Sequence, residues 1–182
     1  LNEMSLNIGD RLDLLVKEIY NIAEEEFNIN STQQLAKILF DDLKLTQIKK
    51  RSTAENVLKE LVNEHELPEL ILSYRKLNKL KNTYIDALPA SINKKTKRIH
   101  STFNQTIAAT GRLSSTGPNF QNIPIRTVDG REIRKSFIAQ QKNWGIFSAD
   151  YSQIELRIMA HLSEDKELCK AFEDNLDIHG RT

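Results

Sequence analysis

The sequence of 182 residues contains one cysteine, Cys169, which excludes an internal disulfide framework and a multi-cysteine zinc site. We expect Cys169 to be a small apolar residue on its helix. No apolar run approaches the roughly 20 residues that a membrane-spanning helix requires. The segment from Leu1 to Asp10 lacks the basic and apolar regions of a secretory signal. The expected protein is therefore cytoplasmic, with no membrane partner.

The chain also lacks a strong net charge. Its 26 lysines and arginines nearly balance its 25 aspartates and glutamates, which leaves a formal charge of +1. Attraction for nucleic acid must then come from how the charges are distributed. The distribution is uneven: residues 24–26 are acidic, and residues 49–51, 75–81, 94–98 and 126–135 form basic clusters. A solvated basic face is the commoner explanation of any one such cluster.

The first half of the chain has the spacing of amphipathic helices. Four helices are predicted. The first covers residues 11–28, the second begins at Ser31 and includes residues 33–40, the third begins at Ser52, and the fourth covers residues 68–87. Ser52 and Glu55 have the spacing of a capping box, which supports a helix start at Ser52.

The second half changes character after Pro89. Residues 98–106 and 144–150 are predicted strands, residues 133–139 lead towards a second strand pair, and residues 111–124 form a loop. Helices are predicted over residues 153–162 and 165–173. The expected fold class is α+β, with a mostly helical region followed by part of an antiparallel sheet with flanking helices.

Asp150 and Glu155 are the acids most suggestive of chemistry. Asp150 ends the predicted apolar strand, where a carboxylate can hold a hard divalent cation against a substrate phosphate. A helix N-cap is an equally weighted role for Asp150. Glu155 shares a helix face with apolar residues three, four and seven positions later, which predicts a carboxylate among apolar neighbours. Its alternative is a side chain that turns to solvent or pairs with Arg157.

Two polar segments suit nucleic acid. Residues 110–124 are dense in amides and hydroxyls, and Arg112 and Gln121 could test base-pair shape through minor-groove acceptors. Composition alone favours an ordinary polar loop. Residues 49–53 lie at the start of a predicted helix, where free backbone amides and basic side chains suit a phosphate. Together with Arg75 and Lys79 they could bind a phosphate backbone.

Residues 150–157, with the sequence DYSQIELR, resemble motif A of the family A DNA polymerases, the bacterial DNA polymerase I type. Residues 110–115 (TGRLSS) followed by 118–124 (PNFQNIP) are similar to the other signature of that family's palm. The similarity extends over nearly the whole chain. It implies a helical thumb over residues 1–97 and the first part of the palm over residues 98–182.

The resemblance implies a DNA-directed DNA polymerase, a nucleotidyltransferase of replication or repair that adds deoxynucleotides to a primer 3′ end by two-metal phosphoryl transfer. Asp150 is then catalytic and binds Mg²⁺ with help from the carbonyl of Tyr151, and Glu155 excludes a ribose 2′-hydroxyl. The deoxynucleoside triphosphate is bound by Tyr151, Ser152, Gln153, Ile154 and Glu155. Primer-template DNA is bound by Lys50, Arg51, Ser52, Thr53, Arg75, Lys79, Asn82, Thr83, Arg112, Asn119, Gln121 and Asn122.

The sequence departs from the family's pattern in three places. The family's fingers and its His-Asp-Glu segment, which carries the second metal aspartate, do not occur in these residues. We therefore expect this stretch alone to bind Mg²⁺ weakly or not at all and not to polymerise. A non-catalytic module that binds duplex DNA is the alternative function. The thumb tip, residues 46–51, and the turn at residues 93–98 both lack the family's glycine.

Overall fold

The computed structural model describes residues 1–174. The chain divides into two compact units, Leu1–Phe137 and the residues from Ile138 onward. The predicted boundary between residues 97 and 98 falls inside the first unit, and the division into thumb and palm stays a prediction. Among the described helices, none is long and apolar enough to cross a membrane.

The first unit is built around two long helices, α1 (Asn2–Ala23) and α4 (Leu67–Leu80). Ile8, Leu12 and Ile19 of α1 are buried, as the spacing of four and seven residues requires. Each such side chain contributes about 1.5–3 kcal/mol on burial. Helix α1 begins nine residues before the predicted start at Arg11, because Ile8 extends the apolar stripe towards the N-terminus.

Two short helices, α2 (Thr32–Lys37) and α3 (Glu55–Leu61), lie between α1 and α4 in sequence. Ser31 caps α2 by accepting a hydrogen bond from the amide of Gln34, and the helix continues as a π-helical segment, Ile38–Asp42. The predicted capping box at Ser52 is wrong. Helix α3 has Ala54 at its N-cap position, and the hydroxyl of Ser52 accepts from the amide of Ala54, which makes it part of the preceding turn.

The long predicted helix over residues 68–87 is interrupted. Helix α4 passes into a π-helical segment, Lys81–Ile85, and a final turn, α5 (Ala87–Ala90), follows. The ammonium of Lys81 donates to Ser5 (2.7 Å) and to Asp86 (2.8 Å), and Ser5 donates to the second oxygen of Asp86. The Lys81 and Ser5 hydrogen bonds lower the pKa of the Asp86 carboxyl.

A small antiparallel sheet confirms the α+β fold class. Strand β1 (Thr102–Asn104) pairs with β2 (Ser114–Thr116), and Phe103 lies opposite Ser115. The interval 111–124 is therefore not entirely loop. Residues 133–139, which were predicted to lead towards a second strand pair, contain no strand. Ile133 is buried on helix α6 (Val128–Lys135), which Thr127 caps by accepting from the amide of Gly130.

The described part of the second unit contains helices α7 (Ile154–Ser163) and α8 (Lys166–Glu173), close to both predictions. The strand predicted over residues 144–150 is wrong, since these residues have no regular secondary structure and are exposed. A strand needs a hydrogen-bonded neighbour, and no described residue pairs with them. Cys169 is half-buried on α8, with its sulfur 3.5 Å from the carbonyl of Ala160, as expected of a small helix residue.

Candidate nucleic-acid interface

Four of the residues predicted to bind DNA line one depression of about 900 Å³ in the first unit. Arg51, Ser52 and Thr53 come from the turn before α3, and Arg75 comes from the middle of α4. The fold therefore brings together two basic segments that are more than 20 residues apart in sequence. The rest of the lining is mostly small or uncharged and comprises Asn30, Thr32, Gln33, Ala36 and Ala54.

The guanidinium of Arg75 fixes the turn that carries Thr53. It donates to the carbonyl of Thr53 at 2.5 Å and to its hydroxyl at 3.3 Å. Desolvation by burial lowers the pKa of Arg75, and no ion-pair partner of Arg75 is found in the part of the chain that is described. A half-buried cation whose charge is balanced by no neighbouring acid favours an anion in the depression.

Arg51, which lines the same depression, already has an acidic partner. Its guanidinium makes a bidentate contact with Asp41, with one bond of 2.7 Å, which raises the pKa of Arg51 and lowers that of Asp41. Both side chains are exposed, so solvent weakens the pair. Lys50, beside it, is exposed and has a positive φ of 30°. Arg75 is therefore the stronger anion ligand of this group.

A second depression of about 770 Å³ begins on the other side of Arg75. Its lining joins Arg75 and Lys79 of α4 to Asn122 of the loop after β2, so it connects two of the predicted DNA-binding segments. Lys59 also lines it but pairs with Glu55 at 2.7 Å, and Lys79 is exposed. Because Arg75 lines both depressions, it connects the turn from Arg51 to Thr53 with Lys79 and Asn122.

Three residues of the predicted phosphate-binding group line neither depression: Lys50, described above, Asn82 and Thr83. Asn82 is exposed and donates to the side chain of Asn78 at 2.8 Å, and Thr83 is exposed in the π-helical segment. Their assignment to DNA stays a prediction.

The loop after β2 is organised by the hydroxyl of Ser115, which is only 1% exposed. This hydroxyl donates to the side chain of Asn119 at 3.0 Å and accepts from the amides of Phe120 (3.0 Å) and Gln121 (3.4 Å). A single buried hydroxyl thus uses its one donor and both acceptor lone pairs. The loop therefore has a defined internal hydrogen-bond structure, and whether it binds a base pair or is an ordinary polar loop stays a prediction.

Gln121 holds the same loop through its side-chain amide. The amide oxygen accepts from the backbone of Ser115 at 2.9 Å, and the amide nitrogen donates to the carbonyl of Leu113 at 2.8 Å. These bonds fix the backbone next to Arg112, whose side chain is exposed. These two bonds use the amide oxygen and one N–H of Gln121. The second N–H of the same amide can donate to an acceptor in the minor groove of DNA.

Residues from outside the loop bind its last carbonyls, and the sequence analysis did not find them. Tyr84 donates a short hydrogen bond to the carbonyl of Asn122. Arg134 of α6 donates to the carbonyls of Ile123 (3.0 Å) and Pro124 (3.1 Å). A Cβ on Gly130 would lie 2.7 Å from the Pro124 side chain, so only glycine permits this approach of α6. The detectable signal was the capping residue Thr127 three positions before Gly130.

In the second unit, Asp150 is exposed on irregular backbone directly before the turn into α7. It is not the N-cap of that helix. Gln153 occupies the cap position with left-handed dihedrals (φ 53°, ψ 38°), which excludes the capping alternative for Asp150. Arg157 donates to the carbonyl of Ser152 at 2.9 Å and lies over the ring of Phe172 at 4.6 Å. The turn that carries the predicted nucleotide-binding residues is thereby tied to both helices of this unit.

The predicted apolar surroundings of Glu155 are wrong. Glu155 is exposed on α7, and the apolar residues on its face, Ile158, Met159 and Leu162, are also exposed, with Leu162 at 77%. The periodicity placed these side chains on one face correctly, but the face is exposed and not buried. Tyr151 and Phe147 are also exposed, at 80% and 91%.

The oxygen donors present at the motif are the carboxylates of Asp150 and Glu155 and the backbone carbonyl of Tyr151, of which Asp150 and the Tyr151 carbonyl are the predicted metal ligands. Oxygen donors suit Mg²⁺, which commonly binds proteins through one or two carboxylates while substrate phosphates and water complete its coordination. Within residues 1–174, no group of three or more His, Cys, Asp or Glu side chains could hold a metal ion. The described residues thus fit part of such a site.

The whole chain, residues 1–182, matches the sequence model of DNA polymerase family A. This chain belongs to DNA polymerase family A. Two relatives support the membership: DNA polymerase I of Geobacillus stearothermophilus is 47% identical over 186 residues, and DNA polymerase I of Pseudomonas aeruginosa is 50% identical over 188 residues. Each alignment covers 100% of this chain, but only 21% and 20% of the respective relative.

The solved POL domain of Pol1 from M. smegmatis, in complex with DNA primer-template and dNTP, is also similar. Its TM-score is 0.85 with 41% identity, over 98% of this family A chain and 32% of that domain's chain. The chain therefore spans about a fifth of the length of the curated family A relatives it matches. The family predicted from residues 110–124 and 150–157 is confirmed.

Proposed function

We propose that this chain is part of a DNA-directed DNA polymerase that adds deoxynucleotides to a primer 3′ end. The observation that carries the proposal is the pair of depressions that share Arg75 in a chain of DNA polymerase family A. They connect the turn at Thr53, the basic face of α4 and the loop at Asn122. A related POL domain that was solved with primer-template DNA and dNTP supports duplex DNA as the occupant.

In this proposal the first unit holds the duplex. Arg75 and Lys79 bind phosphates of the backbone, together with the turn from Lys50 to Thr53. Because Arg75 also fixes Thr53, it positions the turn and neutralises phosphate at once. The affinity of the duplex falls with salt, since each phosphate contact releases counterions.

The loop from Gly111 to Pro124 contacts the minor groove beside the primer end. Arg112 reaches acceptors that all base pairs present at similar positions, so it senses pair shape and not sequence. Gln121 adds a donor from its remaining amide N–H, and Asn119 and Asn122 lie nearby. The hydroxyl of Ser115 and the bonds of Gln121 hold these groups in place before DNA arrives, which lowers the cost of ordering the loop on binding.

The second unit supplies the acid of motif A. Asp150 and the carbonyl of Tyr151 would hold Mg²⁺ together with residues elsewhere in the full-length protein. The metal would supply activation of the attacking hydroxyl and stabilisation of charge on the leaving pyrophosphate. Residues 151–155 border the nucleotide, and Glu155 excludes the ribose 2′-hydroxyl by occupying the space that it needs.

A non-catalytic module that binds duplex DNA is the second candidate. It is favoured by one observation, that the described residues contain no group of three or more His, Cys, Asp or Glu side chains that could hold a metal ion. On that reading Arg75 and the loop bind DNA as above, and Asp150 has no chemical role. The chain by itself should then bind duplex without extending it.

The substitution Asp150→Asn in the full-length protein tests the first proposal. Removing the carboxylate should lower primer extension by at least about a thousandfold, while primer-template affinity changes less than about threefold. Asp165→Asn is the matched control, because it removes one charge in the same unit and asparagine caps α8 equally well. Single-turnover extension and fluorescence anisotropy measure the two quantities. Retained extension by Asp150→Asn would refute the metal-ligand role.

A further inference from the structure

The sequence contains no aspartate or glutamate between Asp86 and Asp129, although 25 of its 182 residues are acids. The cations of this acid-free segment are Lys94, Lys95, Lys97, Arg98, Arg112 and Arg126. Charges of one sign that are concentrated in a segment create a local field even when the net charge of the chain is close to zero. The loop at Arg112 accounts for one end of the segment, and the cluster at residues 94–98 is not used by the proposed function.

Residues 92–99 form a closed turn with defined backbone bonds. Ile92 and Ile99 pair as an antiparallel bridge, and the amide of Asn93 donates to the carbonyl of Arg98 at 2.9 Å. The side chain of Asn93 accepts from the amides of Lys95 (2.9 Å) and Thr96 (3.1 Å). We call residues 92–99 the basic hairpin. Its lysines project from fixed backbone positions.

Lys97 occupies a backbone conformation that lysine rarely adopts. Its φ is 57°, in the left-handed region that glycine enters without penalty. The chain therefore retains a cation at the position of the turn where a residue without a side chain would be easiest to accommodate. That choice favours a role for the charge itself.

The lysines of the basic hairpin differ from other lysines of the first unit in their surroundings. Lys94, Lys95 and Lys97 are exposed, and no salt bridge to them is found among residues 1–174. By contrast, Lys37 and Lys135 each lie within 3 Å of a carboxylate oxygen. The three hairpin charges are thus not used in holding the fold together.

The basic hairpin is joined rigidly to the loop that carries Arg112. Ser101, just after the hairpin, donates to the carbonyls of Thr116 (3.2 Å) and Pro118 (2.7 Å), and β1 then pairs with β2. Lys97 precedes Asn104, the partner of Ser114, by seven positions. At about 3.3 Å per residue the separation is at most about 23 Å, or about seven base-pair steps of 3.4 Å.

We infer that the basic hairpin is a second contact for duplex DNA, and that Lys94, Lys95 and Lys97 bind phosphates within about seven base pairs of the primer end. This inference rests on the proposed function, since the loop at Arg112 sets the position of the duplex. It adds a phosphate contact that neither the turn at Thr53 nor helix α4 provides. The ligand is recognised by charge and spacing alone, so sequence has no influence.

The test uses the full-length protein with Lys94, Lys95 and Lys97 replaced by Gln. Binding to primer-templates with duplexes of about 5 and about 15 base pairs is measured by anisotropy at several salt concentrations. On the long duplex the slope of log K against log salt should become shallower by about 2 to 3, because each lost phosphate contact contributes about 0.9. On the short duplex the change of slope should be equal or smaller, because any contact more than about five base pairs from the primer end is then absent.

Two control variants separate contact from general charge. Replacing Lys17, Lys37 and Lys135 by Gln removes an equal number of positive charges at other positions and should leave the slope unchanged. Arginine at the three hairpin positions should restore the parental slope. If the parent extends primers but the hairpin Gln variant and the parent have equal slopes on the long duplex, the inference is overturned and the proposed function stands. Absence of both binding and extension in the parent would instead refute the proposed function, and the inference with it.

Discussion

The substitution Ser115→Ala should loosen the loop beside Arg112, and the neighbouring residue provides a matched control. Ser115 loses three hydrogen bonds on truncation. Gln121 keeps a second acceptor, the side chain of Asn119 at 2.9 Å, but the amide of Phe120 loses its acceptor. A partly buried donor left without a partner costs about 1–3 kcal/mol.

The adjacent Ser114 has a buried hydroxyl for which no hydrogen-bond partner is found in the described chain. Ser114→Ala removes the same atom from the same strand without breaking a bond, so it should be neutral or slightly stabilising. The expected difference between the two variants is therefore about 1–3 kcal/mol in the free energy of opening the loop.

Amide hydrogen exchange of Phe120 measures that free energy locally, without requiring two-state unfolding of the whole chain. Exchange should accelerate by about 5- to 150-fold in Ser115→Ala, because 1.4 kcal/mol corresponds to a factor of ten. Ser114→Ala should exchange at the parental rate or more slowly. Equal acceleration in both variants would refute the idea that the Ser115 hydroxyl organises the loop.

Two further substitutions test the nucleotide site and the support of the loop. Glu155→Ala should lower discrimination against ribonucleotides by about tenfold or more in competitive incorporation. The control Glu167→Ala removes an exposed acid on α8 and should leave discrimination unchanged. If discrimination is unchanged in both variants, Glu155 does not exclude the ribose 2′-hydroxyl. Tyr84→Phe should cost about 0.5–1.5 kcal/mol and speed hydrogen exchange near Asn122, whereas Tyr20→Phe, which also loses a hydroxyl bond to a carbonyl, should not. The support assigned to Tyr84 fails if exchange near Asn122 rises equally in both.

The helices were predictable where apolar spacing alone decides the structure. The stripe from Leu70 to Tyr84 correctly indicated a buried face, and the family resemblance came from two ordered motifs. Helix interruptions were not predictable, because a π-helical segment such as Lys81–Ile85 depends on which contacts the neighbouring elements make. The stripe continues through it without a break in the pattern.

Errors in the second half of the chain have a common physical origin. Residues 144–150 have the composition of a strand, but a strand exists only with a hydrogen-bonded neighbour, which the sequence of the strand does not specify. Residues 133–135 continue a helix because Thr127 caps it and Arg134 reaches the carbonyls of Ile123 and Pro124. Such long-range acceptors leave no local pattern.

The candidate site was likewise predictable in its residue types but not in its contacts. The sequence identified Arg75, the turn at Thr53 and the loop at Gln121 as polar groups suited to DNA. It did not reveal that Arg75 fixes the turn, or that Gln121 uses its amide to bind two backbone groups of β2 and the residue before it. When one residue acts by positioning another, its role depends on distances between side chains that only the folded chain defines.

The bonds that close the loop from Gly111 to Pro124 also set an order of events during synthesis. Tyr84 is translated before the loop and Arg134 after it, and both bind its carbonyls. Since a nascent chain folds from its N-terminus, the loop can be anchored to the helical core early but cannot complete its bonding until α6 has left the ribosome. Pausing of translation before Arg134 should therefore leave the DNA-facing loop as the last unfinished part of the first unit.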